Sequence, residues 1–308
     1  MLVSVAVITY NSSKTVIETL ESILKQSYGS KNIELIISDD ASRDDTVEIV
    51  SKWIASHKDF FYEVIFIKNS INLGVSGNVN ATWKAVSSEW VKSIAGDDIL
   101  HTNCVELNVE YVKQNTDCKI LFSKMQTFGR SNNIIPTLYD INFFNRSSYN
   151  QYNWLRTFSF NIAPSSFINT SLLKEVDYAD ESYRMIEDLP LWLKITKSGY
   201  KLHFLNSITV YYRIGESVSL SNVNYINKTL IKDLINIYSE HQESFRKNPL
   251  VEWITIEKIL SYKLTLLVSN LSNNKKGMIT NIGEHFLRLL RPAHSARKIV
   301  IMIKQYNK

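Results

Sequence analysis

Residues 90–98 read WVKSIAGDD, a short apolar run that ends in a glycine followed by two adjacent carboxylates. The run predicts a buried strand, and the glycine allows the backbone to turn immediately before Asp97 and Asp98. Two carboxylates fixed at a strand end can bind a hard divalent cation and leave positions open for phosphate oxygens. The alternative is an ordinary polar turn before the next helix, in which aspartate is common. The elements around this stretch bear on that choice.

Three more strand-like runs precede this stretch, at residues 2–9, 33–38 and 63–68. Each is rich in β-branched and aliphatic side chains, and the segments between them carry apolar residues at helical spacing. Strands that alternate with helices at this spacing are typical of βαβ units and a parallel sheet. The predicted fold class is therefore α/β.

Polar residues follow three of these strands at the predicted carboxyl ends. Thr9, Tyr10 and Asn11 end the first strand, Asp40 follows the second, and the Asp97–Asp98 turn follows the fourth. Ligands of such sheets bind at the carboxyl ends of the strands. We therefore expect these clusters to form one site rather than three independent turns.

The chain continues with a less regular pattern after Asp98. A polar and aromatic stretch at residues 132–151 predicts a mobile loop. A helix is predicted to open at residues 184–188 and to end at Gly199. Its acids Glu187 and Asp188 are either ordinary first-turn acids, which the helix dipole stabilises, or part of the site. Four further strand-like runs lie at residues 119–123, 165–169, 201–205 and 208–214.

From Tyr225 the pattern is helical, which predicts a domain of residues 1–220 and a helical region of residues 221–308. One helix has an apolar stripe made of Ile254, Ile259, Leu260, Leu264, Leu267 and Leu271. The tail at residues 275–308 carries eight Lys or Arg against the single acid Glu284, a charge of +7, so the rest of the chain carries 5 − 7 = −2. Such a basic amphipathic tail either lies on an anionic membrane or packs on its own domain. Nucleic-acid binding is not expected, because no RNA-recognition motif accompanies the basic residues.

Several other classes of protein are excluded by the composition. With 44% apolar and 21% charged residues, the chain has ordinary soluble globular composition. No apolar run approaches the roughly 18 residues of a membrane span, and no secretory signal is recognised. Cys104 and Cys118 have neither disulfide-framework nor metal-ligand spacing, which predicts a cytosolic location. Dinucleotide and P-loop glycine motifs are missing.

Together these clusters resemble family 2 glycosyltransferases of the GT-A fold, over roughly residues 2–220. The matching pieces are VAVITYN at 5–11, SILKQS at 22–27, IISDDASRDDT at 36–46, NLG at 72–74, GDD at 96–98 and ED at 187–188. The resemblance implies a Rossmann-like mixed, mostly parallel sheet flanked by helices and followed here by the helical region.

The resemblance also implies roles for individual residues. Asp40 would bind the uracil of a UDP-sugar, and Asp98 would ligate Mn²⁺ or Mg²⁺. Asp188 would be the general base, and residues 132–151 would form an acceptor loop. The remaining nucleotide-sugar contacts implied are Thr9, Tyr10, Asn11, Asn72 and Asp97.

The implied reaction is transfer of a hexosyl or N-acetylhexosaminyl group with inversion, because one base and no second nucleophilic carboxylate are identified. The implied acceptor is a polyprenyl-diphosphate-linked saccharide of bacterial surface polysaccharide or O-antigen synthesis. The protein would then be cytoplasmic and peripheral at the inner face of the plasma membrane, held through residues 275–308. The alternative is a nucleotide-sugar-binding protein of this fold without catalysis.

The chain departs from the family pattern at two positions. The family loop often reads Asn-x-Gly-x-x-x-Ala-Arg-Asn, and Val79 stands where that arginine would be. Many relatives have Tyr-Arg-x-His before a flexible loop, and Gly215 takes the place of that histidine. The chain thus lacks one cation and one potential metal ligand of the family pattern.

Overall fold

The computed structural model describes residues 1–137, 141–158, 162–215, 224–289, 291–292 and 296. The chain forms two compact units. The first comprises Met1–Gln151 and Phe160–Gly215, and the second comprises Tyr152–Ser159 and Glu216–Lys308.

The first unit is built on a mixed sheet whose described strands follow the order β3-β2-β1-β4-β8-β6-β9-β5, with β7 paired to β6. The strands are β1 Val3–Thr9, β2 Ile33–Asp39, β3 Glu63–Lys68, β4 Trp90–Ala95, β5 Ile99–Leu100, β6 Ile120–Gly129, β7 Ile134–Ile135, β8 Phe167–Asn169 and β9 His203–Ile214.

The strands that carry the predicted site are parallel. In the register of the sheet, Thr9 of β1 lies opposite Asp39 of β2, and Ile8 lies opposite Ala95 of β4. All seven residues of β2 are buried, as expected for a parallel strand covered by helices on both faces. The carboxyl ends of β2, β1 and β4 therefore meet at one edge, as predicted.

Helices connect the strands and cover the sheet. The helices of the first unit are α1 Val16–Leu24, α2 Thr46–His57, α3 Gly74–Ala85, α4 Cys104–Gln114, α6 Thr170–Glu175 and α7 Asp188–Lys197, and α5 Ser148–Thr157 continues into the second unit. The helix expected to open at residue 184 begins at Asp188 instead. The residues before it pair with α3 rather than forming a helical turn.

Two sequence expectations for the second half of this unit were wrong. The two strands predicted at residues 201–205 and 208–214 are one continuous strand, β9. Its pairing with β6 is irregular near Leu205 and Ile208. The loop predicted at residues 132–151 contains β7 and the start of α5. Gln151 in it is fully buried, and its amide bonds the backbone of Leu202 in both directions, at 2.8 and 3.0 Å. Residues 138–140 of this stretch lie outside the described part of the chain.

The second unit contains the helices α8 Lys228–Glu240, α9 Pro249–Leu271 and α10 Met278–Leu289. Arg156 of α5 is fully buried and pairs with buried Glu252 of α9. The stripe predicted on α9 is divided in the structure: Ile254 and Ile259 are buried, whereas Leu260 is more than half exposed. Among the helices of the described residues, none is long and apolar enough to cross a membrane.

The first turn of α3 packs closely against the segment before α7. Gly74 has φ +80°, and a Cβ built on it would lie 2.6 Å from the carbonyl oxygen of Arg184. That oxygen accepts the N–H of Val75 at 2.9 Å. Only glycine combines this backbone conformation with so close an approach.

Replacing Gly74 with alanine tests this contact. Gly74→Ala should lower the melting temperature more than Gly199→Ala, which has φ +97° but nothing within 4 Å of its added Cβ. Both substitutions pay roughly 1–2 kcal/mol for the left-handed backbone. Only Gly74→Ala also displaces the Arg184 carbonyl, so it should speed hydrogen exchange of the Val75 amide. Equal losses of melting temperature, with the Val75 amide still protected, would contradict the packing described here.

Candidate active site

The Asp97–Asp98 turn is fixed against the end of β1. The Gly96 N–H donates to Ile8 O at 2.9 Å, and the Thr15 hydroxyl donates to Gly96 O at 2.8 Å. A Cβ on Gly96 would lie 2.8 Å from the Thr9 side chain. The glycine of the quoted stretch is therefore required by the close approach of the two strand ends.

Asp98 is buried, and its two carboxylate oxygens differ in their environment. Oδ1 accepts the backbone N–H of Arg213 at 2.8 Å, whereas Oδ2 has no hydrogen-bond partner among the described residues. Burial, together with the charge of Asp97, raises the pKa of Asp98 to about 8. A buried carboxylate oxygen without a partner is costly unless a ligand satisfies it. Asp98 thus has the properties of a metal ligand.

Arg213 is a residue that sequence reasoning did not place in the site. Its Nε donates to the Asp97 carbonyl at 2.8 Å, and its Nη2 pairs with Glu18 at 2.7 Å. The guanidinium lies 4.4 Å from the centroid of the Phe128 ring. One side chain therefore connects β9, α1 and the Asp97–Asp98 turn. The Tyr-Arg pair of the family pattern Tyr-Arg-x-His, which falls on Tyr212 and Arg213, is the sequence signal that could have identified it.

Lys92 of β4 is a second group missed from the sequence. It is fully buried, and its ammonium donates to the carbonyls of Ser93 at 2.9 Å and Ser166 at 3.3 Å. Burial lowers the pKa of Lys92 to about 8. Its charge favours the ionised form of Asp98 and so opposes part of the effect of burial.

Asp40 lies at the carboxyl end of β2 and binds the first turn of α3. Its carboxylate accepts the N–H groups of Leu73 at 2.6 Å and Gly74 at 3.0 Å, and the Asn72 amide donates to its backbone oxygen at 3.2 Å. Burial raises the pKa of Asp40. The structure thus brings Asp40 and Asn72 together, and their predicted contact with a nucleotide stays a prediction.

The three residues predicted to contact the nucleotide at the end of β1 have different environments. Thr9 is buried and its hydroxyl donates to Asp39 at 2.9 Å, so this side chain holds β1 and β2 together. Asn11 has φ +50° and its side-chain oxygen accepts the N–H of Arg43 at 2.9 Å. Tyr10 is half-buried at the tip of this turn.

The segment that leads to Asp188 is attached to α3. Asn80 exchanges two hydrogen bonds with the backbone of Ala179, at 2.8 and 3.0 Å. Arg184, which the sequence analysis also missed, donates from Nη2 to Asn72 O at 2.7 Å. The exposed guanidinium of Arg184 is thereby held beside the predicted nucleotide contacts.

Asp188 is the first residue of α7, directly after Glu187. The Asp188 carboxylate accepts the N–H of Leu189 at 2.6 Å. Burial raises the pKa of Asp188, and burial together with the Asp188 charge raises that of Glu187 to about 8. Adjacent acids with raised pKa values at the start of a helix are more typical of a functional site than of first-turn acids alone.

Hydrogen bonds connect these separate pieces into one edge. Asn78 of α3 donates to the carbonyl of Thr9 at 3.3 Å, which joins α3 to the end of β1. Through Thr9 this links the Asp40 side of the edge to the Asp97–Asp98 turn.

The carboxylates of Asp97 and Asp98 fit a hard divalent cation whose remaining ligands would come from the substrate. Among the described residues, no group of three or more His, Cys, Asp or Glu side chains could hold a metal ion by itself. Asp97 and Asp98 supply carboxylate oxygens, one of which is buried and unpartnered. Mg²⁺ is commonly bound by one or two carboxylates together with substrate phosphates.

Comparison with known proteins identifies the family of the chain. The family model described as "Glycosyl transferase family 2" matches residues 4–177. A UDP-Glc:alpha-D-GlcNAc-diphosphoundecaprenol beta-1,3-glucosyltransferase, WfaP of Escherichia coli, is 29% identical over 245 residues, which are 78% of this chain and 89% of WfaP.

Two solved structures have similar folds. TarS 1–349 of S. aureus in complex with UDP-GlcNAc aligns with TM-score 0.64 and 22% identity, over 86% of this chain and 73% of that one. The chain covers 43% of the longer TarS structure. The mannosyltransferase PcManGT of Pyrobaculum calidifontis, in complex with GDP-Man and Mn²⁺, aligns with TM-score 0.58 and 13% identity over 97% of this chain and 84% of that one.

These likenesses establish the fold and the family. The sheet, its flanking helices and the helical C-terminal region are those of a GT-A protein, as the sequence predicted. The family model covers more than half of the chain and includes the β1, β2 and β4 ends from which the site is built. The protein belongs to glycosyl transferase family 2 and is a glycosyltransferase.

Proposed function

We propose that this glycosyltransferase moves a hexosyl or N-acetylhexosaminyl group from a UDP-sugar to a saccharide acceptor, with inversion and with the help of a divalent metal. The observation that carries the proposal is that Asp40 and the Asp97–Asp98 turn lie at one edge of the sheet, while the segment that leads to Asp188 is bonded to α3 beside Asp40. Each cluster would serve one part of the donor: Asp40 the uracil, the Asp97–Asp98 turn the diphosphate, and Asp188 the reacting sugar.

The donor side is supported by the chemistry of uracil. The N3–H of uracil is a donor flanked by two carbonyl acceptors, so a carboxylate such as that of Asp40 complements its centre. Asp40 already accepts two backbone N–H groups, and each carboxylate oxygen has a second lone pair to offer. The names of WfaP and of the TarS complex include UDP-Glc and UDP-GlcNAc, which supports a UDP-sugar here.

The metal would be Mn²⁺ or Mg²⁺ held by Asp98, with Asp97 beside the ribose or sugar. When bound, such an ion stabilises as a Lewis acid the negative charge that develops on the departing diphosphate. The chain contributes the fixed geometry, because Arg213 bonds both the Asp97 carbonyl and the Asp98 carboxylate.

Asp188 would act as the general base. It would take the proton of the acceptor hydroxyl while that oxygen forms a bond to the anomeric carbon, and the bond from this carbon to UDP would break. Attack from the side opposite the leaving group inverts the anomeric centre, so an α-linked donor gives a β-glycoside. The raised pKa of Asp188 brings it nearer to the operating pH of a base.

The acceptor is proposed to be a polyprenyl-diphosphate-linked saccharide of bacterial surface polysaccharide synthesis, at the cytoplasmic face of the membrane. The support is the diphosphoundecaprenol acceptor in the name of WfaP and the +7 charge of residues 275–308. In this tail, α10 approaches α9 closely at Gly283, and Leu287 is buried while other apolar residues stay exposed. Residues 297–308 of the tail lie outside the described residues.

The Asp188→Asn substitution tests the catalytic role. It should lower the rate of UDP release by about 100-fold to 10,000-fold, because an amide cannot accept the proton. UDP affinity, measured by calorimetry, should stay near that of the wild type. Glu187→Gln is the matched control and should stay within about tenfold of wild type, since it leaves the base in place. Wild-type turnover by Asp188→Asn would instead support a nucleotide-sugar-binding protein without catalysis.

The pH dependence of turnover follows from the direction of the Asp188 shift. The base works as a carboxylate, so activity should fall as the pH falls through its pKa. Because burial raises that pKa, the loss should begin at a higher pH than the value near 3.9 of an exposed aspartate. The measurement is kcat against pH at saturating metal, with metal-dependent UDP binding titrated separately. Full activity down to about pH 4 would exclude this assignment.

The Asp98→Ala substitution tests the metal site. It should weaken Mn²⁺-dependent UDP binding by at least about 100-fold, since even the outer partners of metal ligands contribute 10–100-fold. Asp45→Ala, which removes an exposed carboxylate at the start of α2, is the control and should bind normally. An unchanged Mn²⁺ titration in Asp98→Ala would refute the ligand assignment.

A further inference from the structure

Helix α9 has an apolar face that stays exposed among the described residues of its unit. Trp253, Leu260 and Leu267 recur at intervals of seven residues, and Leu250 and Leu271 extend the same side. Each of these five side chains is more than half exposed. The spacing places them along one side of a helix, so they form a continuous stripe rather than isolated exposed residues.

This face of α9 exposes almost no charge. Of its acids, Glu252 is buried, and Glu257 is also buried, with its carboxylate accepting the indole N–H of Trp253 at 2.6 Å. Lys258 is buried as well. Lys263 is the one charged residue of α9 that is exposed. A water-exposed helix surface of this length would ordinarily carry charges of both signs.

A second apolar stripe lies on the neighbouring helix α10. Met278, Ile279, Ile282 and Phe286 are each half or more exposed, while Leu287 on the other side is buried. Ile282 is four residues after Met278, three after Ile279 and four before Phe286, so the exposed side chains lie on one side of α10.

The two helices are fixed against each other at close range. A Cβ on Gly283 of α10 would lie 2.8 Å from both methyl carbons of Val268 of α9. Just beyond α10, Arg291 donates to the Ser261 hydroxyl at 2.6 Å and lies over the Tyr262 ring. We call the exposed side chains of both helices the apolar face: Leu250, Trp253, Leu260, Leu267, Leu271, Met278, Ile279, Ile282 and Phe286.

Charge decides which partner fits this face. The exposed cations on and between the two helices are Lys263, Lys275 and Lys276, against the exposed acid Glu284. A second copy of the chain would bring these like charges towards each other, which disfavours self-association. An anionic lipid surface would attract them and would accept the apolar side chains into its interfacial region.

We propose that the apolar face, including α9 and not only the basic tail, lies in the surface of an anionic lipid bilayer. The helices would lie along the surface, because none in the described residues is suited to cross it. The surface itself is inferred independently of catalysis. Its purpose, to bring the active site to a lipid-linked acceptor, rests on the proposed function.

The test uses the full-length chain and vesicles made of equal parts phosphatidylcholine and phosphatidylglycerol. The wild type should float with these vesicles and bind phosphatidylcholine vesicles at least about tenfold more weakly, because the cations lose their partners. The double variant Leu260→Gln/Leu267→Gln should bind the anionic vesicles at least about tenfold more weakly than the wild type. Both side chains are more than half exposed, so the fold should persist, as circular dichroism and the melting temperature will report.

A matched control replaces exposed apolar residues elsewhere. Phe60 and Tyr62, beside β3, are exposed to a similar extent, and Phe60→Gln/Tyr62→Gln should bind anionic vesicles like the wild type. Lys263→Glu should reduce binding to anionic vesicles and leave the weak binding to neutral vesicles unchanged. This result would separate the electrostatic part from the apolar part.

Three outcomes would overturn the inference. They are wild-type protein that stays unbound, a Leu260→Gln/Leu267→Gln variant that binds as well as the wild type, and a dimer that this variant dissociates in light scattering. None of them concerns Asp188, whose role in UDP release is measured without vesicles. Failure of the membrane surface and failure of the proposed function are therefore distinguishable.

Discussion

The parallel pairing of β1 with both β2 and β4 is the constraint on which the site depends. It places Thr9, Asp39 and the Asp97–Asp98 turn at one edge, since parallel strands present their carboxyl ends on the same side. The close contact of Gly96 with Thr9 sets the depth at which the two carboxylates lie. Their position is thus determined by backbone register together with the close packing of Gly96 on Thr9.

The polar groups at this edge are buried at a cost to stability. The raised pKa values of Asp40, Asp98 and Asp188 all have burial as their largest cause, which means that the fold disfavours their charges. Backbone N–H groups stabilise part of each charge, and Lys92 and Arg213 add positive charge near Asp98. An oxygen of Asp98 is still unsatisfied, so bound substrate and metal would relieve an existing penalty. Groups held ready in this way need little rearrangement on binding.

Sequence patterns predicted the fold where the local signals agreed with one another. The strand at residues 63–68 was predicted at its observed bounds, because β-branched residues and flanking turns agree there. The pattern split β9 in two, since polar Asn206 and Ser207 at an irregular pairing resemble a turn. Arg213 and Arg184 were missed because their roles depend on contacts with residues more than one hundred positions away. Such contacts leave no local periodicity.

Helix α9 shows where periodicity stops being informative. The sequence has apolar residues on more than one side of this helix, and a stripe at helical spacing is the same whether it faces a core or a partner. The structure separates the two sides: Ile254 and Ile259 face the unit, and Leu260 and Leu267 face outward. A helix that is apolar on opposite sides needs two apolar neighbours, and the described part of its own unit supplies one. The position of the cations then distinguishes a lipid surface from a second protein as the other neighbour.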